Sequence, residues 1–442
     1  MPDSNMEEIS EIKQTNPAFS KAAGSYLFKP LKFFRNGMAF YWASFFILIP
    51  IEFFLGGQMS VLLSKQNYSI YVNVLNTIPF YNVLANLGIS YSIIYIISYN
   101  RDIRYNLFGQ AIRLQTIWYV ILVIIHLLLF YCFSTILSGT LLITVIITFT
   151  YLYRQNITSF FLATKAFGKA ALSNMIQKST LVVAFYLIHF NMWFRQMLND
   201  RFLIIYPLIE FAVVALYIVF FTRTNYLSLR ASKIKYSKRL IKYGKYAMLN
   251  NGLNVLYYTI IAIIIRYSNI ELHLQIILGL CIIFFRYTVV TIAPMFSIMS
   301  PQLTLIKNDH ERVQAMYRKY LVLVSVVSVA MLLVCRFFLS FFITRFYAPS
   351  YHDLPLFFNF FCYLIPLLFL NSLNGAFMAA LGKIKFTAVV EIICTLILAS
   401  FFIYNLFTPI GDYTMFYYII LIHLSVKCLL LHYGTYTTIK NN

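Results

Sequence analysis

Residues 203–247 read LIIYPLIEFAVVALYIVFFT followed by RTNYLSLRASKIKYSKRLIKYGKYA. The first part holds one charged side chain, Glu210, in 20 residues; the second holds eight Lys or Arg in 25 and no acid. An apolar run of that length can cross a hydrocarbon core of about 30 Å as a helix. A dense basic stretch immediately after it marks the cytoplasmic side of a membrane. The same alternation of long apolar run and short polar loop extends in both directions along the chain.

The 442 residues are 61% hydrophobic, 18% aromatic and 11% charged, with a mean hydropathy of +0.75. Soluble domains carry about 25% charged residues. A soluble protein of this composition would expose large apolar patches and aggregate, and a disordered chain would hold far less apolar surface. The pattern predicts an all-α polytopic membrane protein with twelve transmembrane helices. They fall near 38–63, 69–98, 114–136, 139–164, 170–190, 203–222, 247–267, 274–300, 320–343, 354–381, 385–406 and 413–434. Membrane strands would show alternating segments of about ten residues; these runs are continuous. The polar start 1–36 shows no short apolar core of a cleavable signal, so the first span is expected to act as an uncleaved anchor.

Orientation follows from Lys and Arg in alternate loops. With both termini cytoplasmic, 25 of the 35 lie in cytoplasmic segments, five in outer loops and five inside spans. Topology thus accounts for most of the formal charge of +21, and no nucleic-acid partner is required. The expected organisation is a cytoplasmic tail (1–36), a six-helix bundle (37–222), a basic linker on the anionic inner leaflet (223–246), and a second six-helix bundle (247–442). Phe161-Leu-Ala-Thr-Lys-Ala-Phe-Gly-Lys169 and Phe377-Met-Ala-Ala-Leu-Gly-Lys-Ile-Lys385 open the fifth and eleventh spans, 216 residues apart. Six spans per half place both halves the same way up, a parallel pseudo-repeat of the kind found in transporters.

Ionised groups at membrane depth are costly and are kept for function or paired. The spans retain Arg154, Lys178, Arg286, Arg336 and Lys427 against Glu52, Glu210 and Glu391. The surplus of cations suits an anionic cargo. Thr144, Thr148, Tyr151, Gln155 and Thr158 fall on one face of the fourth span beside Arg154. They either line a cavity or bond helix to helix. Arg286 sits near mid-span, where its planar fork suits a phosphate; Lys178 is similar. Arg336 and Lys427 lie nearer helix ends and can snorkel. The three glutamates either pair with these cations or carry a coupling ion. Amides, including Asn82 and Asn86, and the many tyrosines suit sugar hydroxyls and faces, or join helices. Pro79, Pro294 and Pro366 permit kinks. The six cysteines and scattered histidines show no metal or disulfide spacing. There is no nucleotide-binding glycine-rich loop, and no cofactor is expected.

Four stretches carry a resemblance to a known family. They are Asn86-Leu-Gly-Ile-Ser90 with the Asn100–Arg104 loop, Ser300-Pro301 before a charged loop, Tyr347-Ala-Pro-Ser-Tyr351, and Leu381-Gly-Lys-Ile-Lys385. With these, nearly the whole chain resembles the Wzx-type O-antigen flippases. These belong to the polysaccharide-export branch of the multidrug/oligosaccharidyl-lipid/polysaccharide flippase superfamily. The resemblance implies a V-shaped, MATE-like carrier of two six-helix bundles with a cationic cavity. Its cargo would be an undecaprenyl-pyrophosphate-linked oligosaccharide, turned from the cytoplasmic to the periplasmic face of a bacterial inner membrane. A polysaccharide polymerase and a chain-length regulator would act with it, and membrane lipids would surround it. A proton- or sodium-coupled exporter of drugs or metabolites is the alternative on the same fold. A membrane-embedded polymerase is a third reading, but the outer loops offer only the isolated acids Asp200, Glu271, Asp353 and Asp412.

Overall fold

The computed structural model describes residues 38–99, 103–132, 134–173, 175–176, 202–224, 234–266, 268–306, 308–408 and 410–441. The tail 1–36, Lys178 and most of the predicted fifth span lie outside the described residues. Within them the chain forms α1 (Met38–Leu62), α2 (Lys65–Asn86), α3 (Ile89–Tyr99), α4 (Arg104–Cys132), α5 (Ser134–Ala163), α6 (Phe202–Thr224) and α7 (Ile234–Arg266). There follow α8 (Leu272–Ile306), α9 (His310–Phe346), a 3-10 turn (Pro349–Tyr351), α10 (Leu354–Cys362), α11 (Ile365–Ala380), α12 (Ile384–Phe407) and α13 (Thr414–Asn441). No strand occurs among the described residues. That follows from the solvent: in hydrocarbon every backbone polar group must be bonded within its own segment or a closed barrel. Five described helices are long and apolar enough to cross a membrane, six if the bent pair α10–α11 is one span. Outward-facing Leu216, Phe220, Phe337, Phe341 and Leu429 are all exposed, an exterior that requires lipid.

Three expected elements differ in detail, each for a local reason. The second span is two helices. Leu87 takes a left-handed conformation (φ 52°) and Gly88 follows at φ 69°, which ends α2 and restarts the chain as α3. The tenth span breaks between α10 and α11 with a 52° bend. Pro366, in the first turn of α11, lacks an N–H and crowds the carbonyl four residues back, so α10 stops at Cys362. The basic stretch 223–246 is not a separate linker throughout: from Ile234 it is the first third of α7. At 1.5 Å per residue the 33 residues of α7 span about 50 Å, well beyond the hydrocarbon core.

Helix α7 joins the two halves. It packs on α2, α3 and α4 of the first half and on α8 and α12 of the second. Ser92 Oγ donates to the Leu240 carbonyl at 2.8 Å, and Gly88 lies directly against Gly244. At the other end of the bundle α1 and α2 meet α8 and the α9–α10 connection. There the Ala348 N–H donates to Ser60 Oγ at 2.9 Å, and Gly57 abuts the Phe346 carbonyl. One large apolar core runs through both halves, with Tyr68, Tyr257, Phe285, Phe358, Phe369 and Phe377 fully buried within it.

Candidate functional site

Between the halves, α1, α2 and α8 line a small cleft, open at its mouth. Glu52, Tyr71, Tyr287 and Tyr347 give it polar walls, set among Leu55, Leu75, Ile283 and Phe284. Glu52 is hydrogen-bonded to Tyr287. Beside it Arg286 reaches from α8 to α2, where Nη2 donates to the Leu75 carbonyl at 3.0 Å. Its second terminal nitrogen, Nη1, is buried and has no hydrogen-bond partner among the described residues. A guanidinium so placed presents an unused donor at membrane depth, and the strongest partner for it is an anionic oxygen.

Tyr151 lies close to Tyr287 and carries the Arg154 guanidinium over its ring at 5.1 Å, a cation–π contact that lowers the cost of a partly desolvated charge. Tyr287 was not visible as a site residue in the sequence. Its adjacency to Arg286 was the available signal, and the bond to Glu52 depends on how α1 and α8 are rotated.

The Thr144 side chain lies outside the described residues, and Gln155 and Asn156 of α5 bond within the first half. Gln155 Oε1 accepts from Asn82 Nδ2 at 3.2 Å and from Asn86 Nδ2 at 3.1 Å. Asn86 Oδ1 accepts the Ser90 N–H at 3.0 Å, and Ser90 Oγ donates to Asn156 Oδ1 at 2.7 Å. Asn156 donates to Gln115, whose Nε2 donates to the Asn86 carbonyl at 3.2 Å. This network satisfies backbone groups released by the α2–α3 break, as non-helical backbone at membrane depth requires. Thr148 is buried, and Thr158 Oγ1 donates to Ser173 Oγ at 3.1 Å. Gln155→Leu is expected to lower stability by about 1–3 kcal/mol, because the Asn82 and Asn86 amides lose a shared acceptor. Thermal unfolding in detergent would measure it; an unchanged midpoint would mean that water replaces the amide.

Other sequence-selected groups lie apart from the cleft. Glu210 is buried and accepts from Thr150 Oγ1 at 3.2 Å, joining α6 to α5. Arg336 is on the exterior of α9, its Nη1 donating to the Tyr363 hydroxyl at 2.8 Å beside the α10–α11 break. Lys427 of α13 and Glu391 of α12 form one ion pair, Nζ to Oε1 2.6 Å, with both side chains 8% exposed. Sequence could not show this pairing, since it links two helices whose relative rotation is a tertiary matter. His423, one turn away, stacks on Tyr257 of α7 with ring centroids 4.0 Å apart. Cys281, Cys335, Cys362, Cys394 and Cys428 are free thiols.

No known family profile matches the sequence, and no curated protein is similar to it. Nineteen chains of solved structure match its fold. One is an inward-facing conformation of a multidrug resistance MATE family transporter of the MOP superfamily. It matches with a TM-score of 0.63 at 12% identity, over 94% of this chain and 96% of that one. A MOP superfamily transporter from Pyrococcus furiosus Vc1 matches at 0.65 and 12%, over 91% and 95%. A MATE in complex with MaL6 matches at 0.66 and 12%, over 92% and 97%. The chain is therefore a multi-pass membrane protein with the all-helical MATE transporter fold.

Proposed function

We propose that this protein is an alternating-access carrier that flips an undecaprenyl-pyrophosphate-linked oligosaccharide from the cytoplasmic to the periplasmic face of a bacterial inner membrane. The observation that carries the reading is Arg286, which bonds the Leu75 carbonyl at the cleft wall while its buried Nη1 has no hydrogen-bond partner among the described residues. A pyrophosphate would take that donor. Arg154 lies on the same side through Tyr151 and Tyr287, and the tyrosines of the wall would receive sugar hydroxyls and faces. Two arginines against Glu52 leave this region net positive. The lipid tail would stay in the bilayer while the head group crosses. The four-stretch resemblance to Wzx-type flippases supports the cargo class, and the basic first third of α7 supports cytoplasmic termini.

A second reading rests on Glu52. A carboxylate in the cleft would also hold a cationic drug, and one structural neighbour is described as a multidrug resistance transporter. Another is described as having a binding pocket of reverse polarity that suggests a different function, so this fold does not dictate the charge of its cargo. Under the flippase reading Glu52 is instead a coupling-ion candidate, with Glu210 and Glu391 as the other two.

The test is complementation of a deletion strain. Arg286→Gln is expected to reduce surface polysaccharide at least tenfold while the protein still inserts in the membrane, and Glu52→Gln to leave drug susceptibility unchanged. Normal polysaccharide with Arg286→Gln, together with drug sensitivity in Glu52→Gln, would establish the exporter instead.

A further inference from the structure

Pro79 lies inside α2 without ending it. It has no N–H, so the carbonyl of Leu75, four residues earlier, loses its donor within the helix. An unpaired carbonyl at membrane depth is costly, and here it is taken from the other half of the molecule, by Arg286 Nη2 at 3.0 Å. Around it the seam between α2 and α8 is tight. Asn76 Nδ2 donates to the Gly279 carbonyl at 3.2 Å, and a Cβ on Gly279 would stand 2.7 Å from Val72 Cγ1. Arg286 thus has two terminal nitrogens in different states: Nη2 closes the seam on the carbonyl of Leu75, a cleft-lining residue, and Nη1 is buried with no hydrogen-bond partner among the described residues.

We propose that Arg286 and the carbonyl left open by Pro79 form a cargo-sensing latch. The guanidinium holds α2 and α8 together in the unloaded carrier. A phosphoanhydride entering the cleft draws it away, because its hydrogen bonds to an anionic oxygen are shorter and roughly twice as strong as those to a neutral acceptor. The Leu75 carbonyl is then released, and the equilibrium between closed and open seam shifts by the differential affinity of the cargo for the two states. Cargo binding and opening of the α1–α2 end become one event. The inference rests on the anionic-cargo reading only in its second half; the latch itself is a statement about the unloaded protein.

The experiment uses the full chain in lipid nanodiscs, with spin labels on exposed Gln66 and Glu271. These lie on opposite sides of the seam, where Lys65 interacts with His273. Pro79→Ala restores the in-helix donor for Leu75, and Arg286→Gln removes the competing donor. Each is expected to raise the ratio of long-distance to short-distance populations by roughly ten- to a hundredfold, the range for a hydrogen bond to a charged group. The double variant should go no further than the larger single change, because both remove the same bond. Arg286→Lys, which keeps the charge but not the fork, should fall between wild type and Arg286→Gln. Inorganic pyrophosphate should open the wild-type seam, and Arg286→Gln should not respond to it. Additive single effects, or distances unmoved by Pro79→Ala, would overturn the latch whatever the cargo. Variants that behave as expected while pyrophosphate leaves the wild type closed would overturn the cargo sensing and the anionic reading of the cleft together.

Discussion

Lys427→Met is expected to destabilise the folded protein by about 3–5 kcal/mol, and Glu391→Leu by a similar amount. The two side chains meet at 2.6 Å between α12 and α13, nearly closed off from the surroundings. Glu391 Oε2 has no hydrogen-bond partner among the described residues, so this carboxylate depends heavily on the lysine. Removing either member leaves a buried charge uncompensated. The double variant Lys427→Met with Glu391→Leu is a different case. It removes both desolvation costs and fills similar volume, so stability near or above that of the parent is expected. Unfolding in detergent across the four proteins measures the coupling directly. Single variants that each cost less than about 1 kcal/mol would show the pair to be hydrated and weak. Transport in the stable double variant then separates a structural pair from a substrate ligand: retained flipping removes Lys427 from the cargo path and Glu391 from ion coupling.

Gly88→Ala is expected to prevent stable folding, a loss of about 3–5 kcal/mol or more. Two effects combine. At φ 69° a Cβ meets the penalty of the left-handed region, about 1–2 kcal/mol. That Cβ would also stand 2.1 Å from the Gly244 carbonyl oxygen. The obstacle is backbone, so no rotamer change relieves it; α7 would have to leave its seat, taking with it the bond between Ser92 and Leu240. Gly168→Ala is the matched control, since a Cβ there meets nothing within 4 Å. Folded yield after detergent extraction should be lost in the first and unchanged in the second. An extractable, monodisperse Gly88→Ala protein would mean that α7 moves freely against α2.

The two predictions mark where reading by residue type stops. Gly88 belongs to the Asn86–Ser90 stretch that carried a family resemblance, yet nothing in that stretch says that the glycine faces another glycine far along the chain. The amides of Asn82, Asn86 and Gln155 were equally visible as polar residues in apolar spans. That they converge to stitch a broken helix, while Tyr151 of the same stripe lies near Tyr287, depends on the azimuth of each helix. Pro79 was legible as a permitted kink. Its consequence, a carbonyl available to Arg286, needed a helix 211 residues away in sequence to be placed beside it.

By itself, then, the amino-acid order determined that this chain is a set of long membrane helices with its positive charge gathered in one family of loops. Both are properties of single segments: a hydrocarbon solvent forces each segment to bond its own backbone and to keep its charges at the ends. Only the tertiary structure decided which of the costly interior charges meet. Lys427 was matched to Glu391, Glu52 to Tyr287, and Arg286 to the gap left by a proline. Those partnerships are set by how neighbouring helices rotate and slide against one another. Packing fixes that rotation through many weak contacts spread over both helices, and no local pattern encodes it.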